Sequence, residues 1–503
     1  MMDYLTPLAE IVGFVGINTD ILEKIIPQPD KPLYLSDADG VLIKEGKIMK
    51  QRGLNYFTAT PKEKALGLPT YRKYTTNEKF LILVTTTGAY KYVGGDTPWS
   101  SIYTNALSLD ERCIVVSSAN IDDKIVITDS YSGIIKYYDG INSGNLLDPT
   151  TLKARFLLEH KTYLMLFRTI ESGTEHYTRL KWSNPGAITI FDPEDSLDIA
   201  SEGKIVNAKK MEDSIIVYFS DSIYRVFWSG EQTGFGSSPL SERIGLLAPN
   251  TLCGENIHYF LSQSGMVRLI PGQPPETISK NKFNKLVLDG IDPVYYERAI
   301  AFYFPNLEYI YLIYPAVGNS RNDQLAILDV RTGELVGKRT LPFDITCIGA
   351  LEKDTDNVTL SPEQRIAGLS YIPLIGDVNG YVYQEMWSEY VDLGANPYTS
   401  SAVLPEIGLK DRTRNKRILQ VDLLIEKLTD NDINLVLDIA NEANENFSYN
   451  YNVTGSGNSG VRRYTVYTDV LGKEFKLRIR DSSNIYGFNL HGLILKGYIT
   501  TIK

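Results

Sequence analysis

The sequence predicts an all-β chain, with a β-propeller-like domain of six to seven blades and a smaller C-terminal β-sandwich. Three observations carry this expectation. A strand–turn–strand unit returns at a near-regular interval, helical periodicity is scarce, and the last hundred residues alternate apolar and polar positions between their own turns.

The recurring unit is an apolar strand, a short Gly/Ser/Asp turn, and a second strand rich in Tyr, Ile and Val. It reads LILVTTTGAYKYV at 81–93, KIVITDSYSGIIKYYDG at 124–140 and YLMLFRTIESGTEHYTRLKW at 163–182. It continues as SIIVYFSDSIYRVFWSG at 214–230 and IHYFLSQSGMVRLIPG at 257–272, then LAILDVRTGELVGK at 325–338 and LIGDVNGYVYQEM at 374–386. The turns centre on Gly88, Gly133, Gly173, Asp221, Gly265, Gly333 and Gly380, at successive separations of 45, 40, 48, 44, 68 and 47 residues. That period matches one four-stranded propeller blade. A lone hairpin cannot bury both faces, so such units must pack on one another, and a closed ring leaves only short edges. The 68-residue gap implies a divergent unit or an insertion around 273–304. The only fair helix candidates are the first thirty residues and the stretch 276–300.

A polar, turn-rich boundary at 395–417 carries the basic cluster Lys410, Arg412, Arg414, Lys416 and Arg417, read as a solvated face. Beyond it, ILQVDLLIE, INLVLDIA, YTVYTDV, FKLRIRD and FNLHGLILKGYI alternate with period two, as in a small antiparallel sandwich. The expected organisation is therefore an N-terminal arm and first strand at 1–55, a propeller-like domain at 56–400 and the sandwich at 401–503.

Composition narrows the function classes. With 61 acidic against 51 basic residues the net charge is −10, which argues against a surface built to grip phosphates. The 33 Tyr exceed the 17 Phe, and Tyr suits strands whose rings pack while their hydroxyls reach water. Cys113, Cys253 and Cys347 are widely separated, so they read as small buried hydrophobes and not as a disulfide framework or a zinc site. The N-terminal stretch, with Asp3 and Glu10 and no basic start, makes a poor signal peptide, and no run of eighteen apolar residues spans a membrane. Sequons at Asn357, Asn446 and Asn452 carry little weight without a secretion signal.

Catalytic patterns are missing from the sequence. His160, His176, His258 and His491 stand in scattered contexts without HExxH spacing and read as structural or surface residues. Neither a GxSxG elbow nor a GxxxxGK[ST] phosphate cradle occurs. Of the acidic spots at 36–40, 191–198 and 352–356, SDADG has Asp37 and Asp39 followed at once by Gly40. The EF-hand pattern fails there, and a turn is expected. Trp99, Trp182, Trp228 and Trp387 are expected in the core. No catalytic, cofactor-binding or metal-ligating residue is assigned, no cofactor is expected, and the chain reads as a non-enzyme.

Three segments resemble the propeller-like tail proteins of short-tailed bacteriophages known as nozzle, hub or packaged-DNA stabilisation proteins. EGKIMKQRGLNYF at 45–57 is similar to their entry strand with its basic and Gly step. The segment 179–228 holds Trp182-Ser183 followed by Gly186, then Phe191-Asp192-Pro193. The segment 242–269 holds Gly245, Ala248-Pro249 and Thr251, then Ile257, Tyr259, Leu261-Ser262 and Gly265. Together they cover less than half of the chain, and the C-terminal sandwich departs from the family's pattern. The resemblance implies a virion protein that forms a homo-oligomeric ring, usually a hexamer, below the portal adaptor. It implies contacts with that adaptor and other tail parts, with double-stranded DNA passing through without sequence-specific binding. The N-terminal arm at 1–30, the 273–304 segment and the C-terminal domain are then the candidate docking parts. The alternative is a carbohydrate-binding or glycan-hydrolysing propeller, in which Tyr and Trp stack on sugars and paired acids do the chemistry.

Overall fold

The structure is a computed structural model that describes residues 5–18, 33–58, 60–104, 115–230, 234–279, 283, 287–305, 307–352, 355–356, 371–385, 391–392, 396–409, 414–428, 430–455, 460–481 and 487–500. Cys113, Asn357, Trp387, Lys410 and Arg412 lie outside the described residues, as do 1–4 and 19–32 of the expected arm and six positions of the 273–304 segment.

Among the described residues, seven small antiparallel units follow one another along the chain, six as separate sheets and the sixth in order as the end of a larger sheet. Blade 1 uses strands between Ala65 and Thr104, blade 2 between Val116 and Asn145, blade 3 between Leu152 and Asp198 and blade 4 between Ile205 and Ser241. Blade 5 runs from a bridge at Cys253 through His258–Ser262 and Gly265–Leu269 to Glu276–Thr277. Blade 6 holds Ile300–Phe304, Tyr309–Tyr314, Gln324–Asp329 and Glu334–Thr340. Blade 7 holds Ile345–Glu352, Tyr371–Asp377 and Val382–Glu385, and its fourth strand is Leu54–Thr58, from before blade 1.

The side-chain period of two explains why such strands form a ring. In the strand Ser214–Phe219, Ile215, Val217 and Phe219 join blade 3's Phe156, Met165 and Phe167, while Ile216 and Tyr218 join blade 5's Phe260 and Val267. Both faces are buried, so the strand reads as a continuous apolar run and not as an alternation. The same division recurs around the molecule. Blade 1 meets blade 2 through Tyr71, Phe80 and Ile125, blade 2 meets blade 3 through Val126 and Leu166, and blade 7 meets blade 1 through Leu374 and Leu81. Blades 5 and 6 share one cluster with Ile345 and Tyr383 of blade 7. The chain is thus a closed seven-bladed β-propeller, with strand Leu54–Thr58 as the clasp.

The recurring turns fall inside successive blades. Gly133, Gly173, Gly265, Gly333 and Gly380 all have positive φ, the backbone region that tight hairpins need and Gly adopts without clash. At Gly380 a Cβ would stand 1.9 Å from the Lys62 carbonyl oxygen, so space as well as φ demands glycine. The 68-residue gap needs no hidden blade. In blade 6 the Gly333 turn joins the third and fourth strands, whereas Gly265 and Gly380 join the second and third. A segment between Thr277 and Ile300 adds the remaining length and carries a short 3-10 turn at Tyr296–Arg298.

Where the first thirty residues are described, the helix expectation is corrected, because Thr6–Val12 and Phe14–Ile17 are strands. The sandwich also takes strands from both ends of the chain. One sheet lays Arg462–Gly472, Lys416–Lys427 and Phe488–Ile499 beside Lys47–Lys50 and Val41–Lys44, and continues into Glu334–Thr340 of blade 6. Thr6–Val12 pairs with Phe488–Ile499 as well. The facing sheet stacks Asn446–Val453, Ile433–Asn441, Glu474–Asp481, Ser400–Val403 and Asp37–Asp39. Propeller and sandwich therefore share one ten-stranded sheet, and residues 33–50 serve the sandwich before the clasp begins.

The basic cluster is also corrected in part. Lys416 is fully buried and its ammonium donates to the Lys473 carbonyl at 3.0 Å, while Arg417 pairs with Asp469 at the surface. Strand alternation turns neighbouring cations to opposite faces, so the five residues do not form one solvated patch.

Candidate functional site

A cavity of about 960 Å³ lies where the blades converge. Its wall is built from the inner strands: residues 66–70 of blade 1, 115–118 of blade 2, Asn207 and Lys209 of blade 4, 300–303 of blade 6, and 347–350 with Glu352 of blade 7. Blade 5 contributes Pro249, Asn250, residues 252–257 and Tyr259, so the segment with the Gly245, Ala248-Pro249 and Thr251 pattern shapes one side of it. Gly245 permits this course, since a Cβ there would meet the Ser220 carbonyl carbon at 2.3 Å. Thr251 then accepts the Leu261 N–H on its hydroxyl, anchoring the turn.

Among the described residues, four charged ones line the cavity, Arg72, Lys209, Glu255 and Glu352. Glu352 accepts from Arg72 at 2.6 Å and from Lys79 at 2.9 Å, so its charge is matched by two cations. Lys209 stands near Glu255, and burial pulls its ammonium below the usual lysine range while that carboxylate acts the other way. Tyr259 and Tyr303 face each other with ring centroids 4.6 Å apart, and burial raises both phenols above their ordinary value. Cys253 and Cys347 border the same space as buried thiols, pushed up to about 12 by desolvation. Thiols held that high are inert, in keeping with their reading as small hydrophobes.

The acidic spots do not converge. Asp37–Asp39 is an edge strand and not a turn, paired with Ser400–Val403; Asp37 reaches Lys338 at 3.1 Å and Asp39 accepts the Thr340 N–H. Asp198 binds Arg179 on the outside of blade 3. Of the third spot, Glu352 faces the cavity while Asp356 accepts the Lys79 N–H. Among the described residues no group of three His, Cys, Asp or Glu side chains could hold a metal ion. Among the described residues no helix is long and apolar enough to cross a membrane.

Arg72, Lys79 and Lys209 went unflagged in the sequence. Only the ring brings Arg72 and Lys79 within reach of Glu352, some 280 residues away, and no local spacing announces that. Trp99 and Trp182 are buried as expected, whereas Trp228 is half-buried against Tyr163 and Phe235.

His258 is structural and its role is defined. Its Nε2 lies 2.7 Å from the Lys210 carbonyl and must donate, so Nδ1 accepts from the Tyr218 hydroxyl at 2.8 Å. That arrangement requires the neutral ring. Desolvation lowers His258 to about 4, and His160 likewise to about 4. A histidine depressed in the folded state binds its proton more readily in the unfolded chain. Stability is therefore full above pH 6.5 and falls as pH drops from 6.5 towards 4, by on the order of 2–4 kcal/mol for each ring. Urea denaturation from pH 7 to 4.5 should show this decline, with a shallower slope in His258→Gln. A flat profile, or an unchanged slope in the variant, would contradict it.

Fold and cavity define a class: a seven-bladed β-propeller fused edge-on to a β-sandwich. No family model matches the chain, and no curated protein matches it. Among solved structures, the WD40 domain of Neurospora crassa Pan2 is 8% identical, aligned over 68% of this chain and 97% of that one at a TM-score of 0.39. The extracellular domain of the putative hybrid two component system BT4673 of B. thetaiotaomicron is 10% identical, over 91% and 62%, at 0.42. An exo-beta-1,3-galactanase of Phanerochaete chrysosporium is 8% identical, over 82% and 99%, at 0.24. At these scores the assignment as a propeller rests on the blade order and the ring of shared cores.

Proposed function

We propose that this chain is a structural, non-catalytic subunit of a short-tailed bacteriophage tail, of the nozzle or hub kind, acting as a homo-oligomeric ring around the DNA exit path. The observation that carries the reading is the fusion of propeller and sandwich through one ten-stranded sheet. A conduit wall has to keep its shape while neighbouring copies press on it, and a shared sheet leaves no hinge between the two parts. The three resembling segments support it further. In this fold they form the run into the clasp, the passage from blade 3 to blade 4 and the wall of the axial cavity.

Size decides where DNA could run. A cavity of about 960 Å³ falls in the range of small-ligand sites, roughly 300–1,000 Å³, and cannot admit a duplex. The conduit must then lie between copies, where a chain of net charge −10 repels phosphates and lets DNA slide. The glycan-hydrolysing alternative gains less support. Glu255 and Glu352 are the described carboxylates on the cavity wall, and Glu352 is held by two cations, whereas glycoside hydrolysis needs two acids poised at the scissile bond.

Light scattering and negative-stain imaging of the purified chain, alone and with a neighbouring tail protein, test this. Hollow rings whose mass is a multiple of 56.5 kDa, with about six copies as in other cyclic assemblies, are the expected result. A monomer under both conditions would sink the proposal.

A further inference from the structure

A second cavity, of about 170 Å³, lies between blades 6 and 7 and the hairpin Val41–Lys50, and Phe302 and Ile348 border both it and the axial cavity. Its walls are apolar, with Leu42, Phe302, Phe304, Tyr311, Ile348 and Ile375 prominent among them. The charged groups lining it are of one sign: Lys44, Lys50, Arg52 and Arg339 reach it, and no Asp or Glu among the described residues does.

Two of these cations have bonding capacity left over. The Lys44 ammonium makes no hydrogen bond or ion pair with any described residue. Arg339 is 3% exposed, and although its two terminal nitrogens are engaged by the Arg52 carbonyl and Asp392, its Nε has no hydrogen-bond partner. A buried donor left unmade is costly, so the site is better satisfied when something in the cavity accepts from it. Lys50 is already spent on Asp481, at 2.8 Å.

We infer that this junction cavity is a binding site for a small amphiphilic anion, an aliphatic or aromatic carboxylate whose apolar body fills the pocket. Lys44 and the Arg339 Nε then supply the charge and the donor for its oxygens. The chemistry follows from the wall. An apolar lining rejects sugars and nucleotides, whose hydroxyls would lose water without gaining partners. The unpaired Lys44 charge repels a cationic guest and favours an anion over its neutral counterpart. A cavity of this volume holds on the order of ten heavy atoms, by the space one water needs, which suits a chain of about eight carbons. This inference is independent of the tail reading, since the pocket lies inside one chain.

Calorimetric titration of the full chain with sodium octanoate, and with octan-1-ol as its neutral twin, tests the site. The expected result is saturable one-to-one binding of octanoate, at least tenfold tighter than octanol. Shortening the acid from octanoate to butanoate should weaken it about fourfold per methylene, the equivalent of ~0.8 kcal/mol each. Lys44→Gln should bring the acid's preference over the alcohol close to one. Ile375→Trp, which fills the pocket, should abolish both ligands; if its melting curve shows that it has not folded, Lys44→Gln decides alone. Equal affinity for acid and alcohol in the native chain, non-saturating uptake or an unchanged preference in Lys44→Gln would each overturn the assignment.

Discussion

A chain lacking residues 1–58 does not reach the native fold, and adding those residues back as a separate polypeptide restores it. The deletion removes the clasp of blade 7, leaving the outer edge of Val382–Glu385 unpaired, and it removes every N-terminal strand of the sandwich. Leu8, Ile11, Leu35, Val41, Ile43, Ile48 and Leu54 leave the shared core with it. At ~2 kcal/mol for each buried side chain the loss is roughly 10–15 kcal/mol, an upper bound because unfolded chains are partly collapsed. That equals or exceeds the whole net stability of a typical domain, about 5–15 kcal/mol. The truncated chain should show broad, non-cooperative melting and should aggregate through its open edges. Tyr56 stacks on Tyr383 with centroids 5.4 Å apart, so tyrosine fluorescence reports re-docking of the added fragment. Sharp, cooperative melting of the deletion variant without the fragment would show that the ring does not depend on its clasp.

The clasp was also the part of the fold least visible in the sequence. Hairpins were legible because their signals are local: two apolar runs and a residue at positive φ, as at Gly133 and Gly333. Leu54–Thr58 pairs with a strand more than three hundred residues later, and only its two end residues are buried, so no alternation marks it. The edge strand Asn446–Val453 escaped for a related reason, since its outward positions are Asn and Ser, residues that ordinarily read as turn. The spacing rule failed at one place. Blade 6 puts its glycine one hairpin later than its neighbours, and a period counted from glycines then shows a gap where the blades show none. The C-terminal strands, by contrast, bury one face and alternate cleanly, as in Glu474–Asp481. Of the axial cavity, the sequence marked the acidic stretch holding Glu352 but not the cations that hold it. Closure of a ring, and not local spacing, brings those groups together.

Removing one carboxylate at the propeller–sandwich junction should cost nearly as much as any single substitution can. Lys50 of the sandwich and Asp481 of its facing sheet form an ion pair at 2.8 Å with both side chains fully buried. Arg339 of blade 6 pairs with Asp392, also buried, and Asp392 accepts the N–H of Leu54 at the start of the clasp. Tyr398 lies between the two pairs, with the Lys50 ammonium 4.7 Å and the Arg339 guanidinium 3.8 Å from its ring, a placement favoured by the ring's negative face. Asp481→Ala leaves the Lys50 ammonium buried without its counter-ion, and Asp392→Ala strands both Arg339 and the Leu54 amide. Each should lose about 3–5 kcal/mol, since breaking a buried pair is far costlier than replacing it whole. The double replacement Lys50→Met with Asp481→Leu should recover most of that loss, because two charges no longer need to be desolvated. Guanidinium unfolding of the two single variants and the double variant measures the difference directly. If Asp481→Ala unfolds at the native midpoint, water reaches Lys50 and the junction is not the dry seam described. If the double variant is as unstable as the single, the pair contributes its own attraction beyond offsetting desolvation, and the seam between propeller and sandwich is held by charge and not by packing.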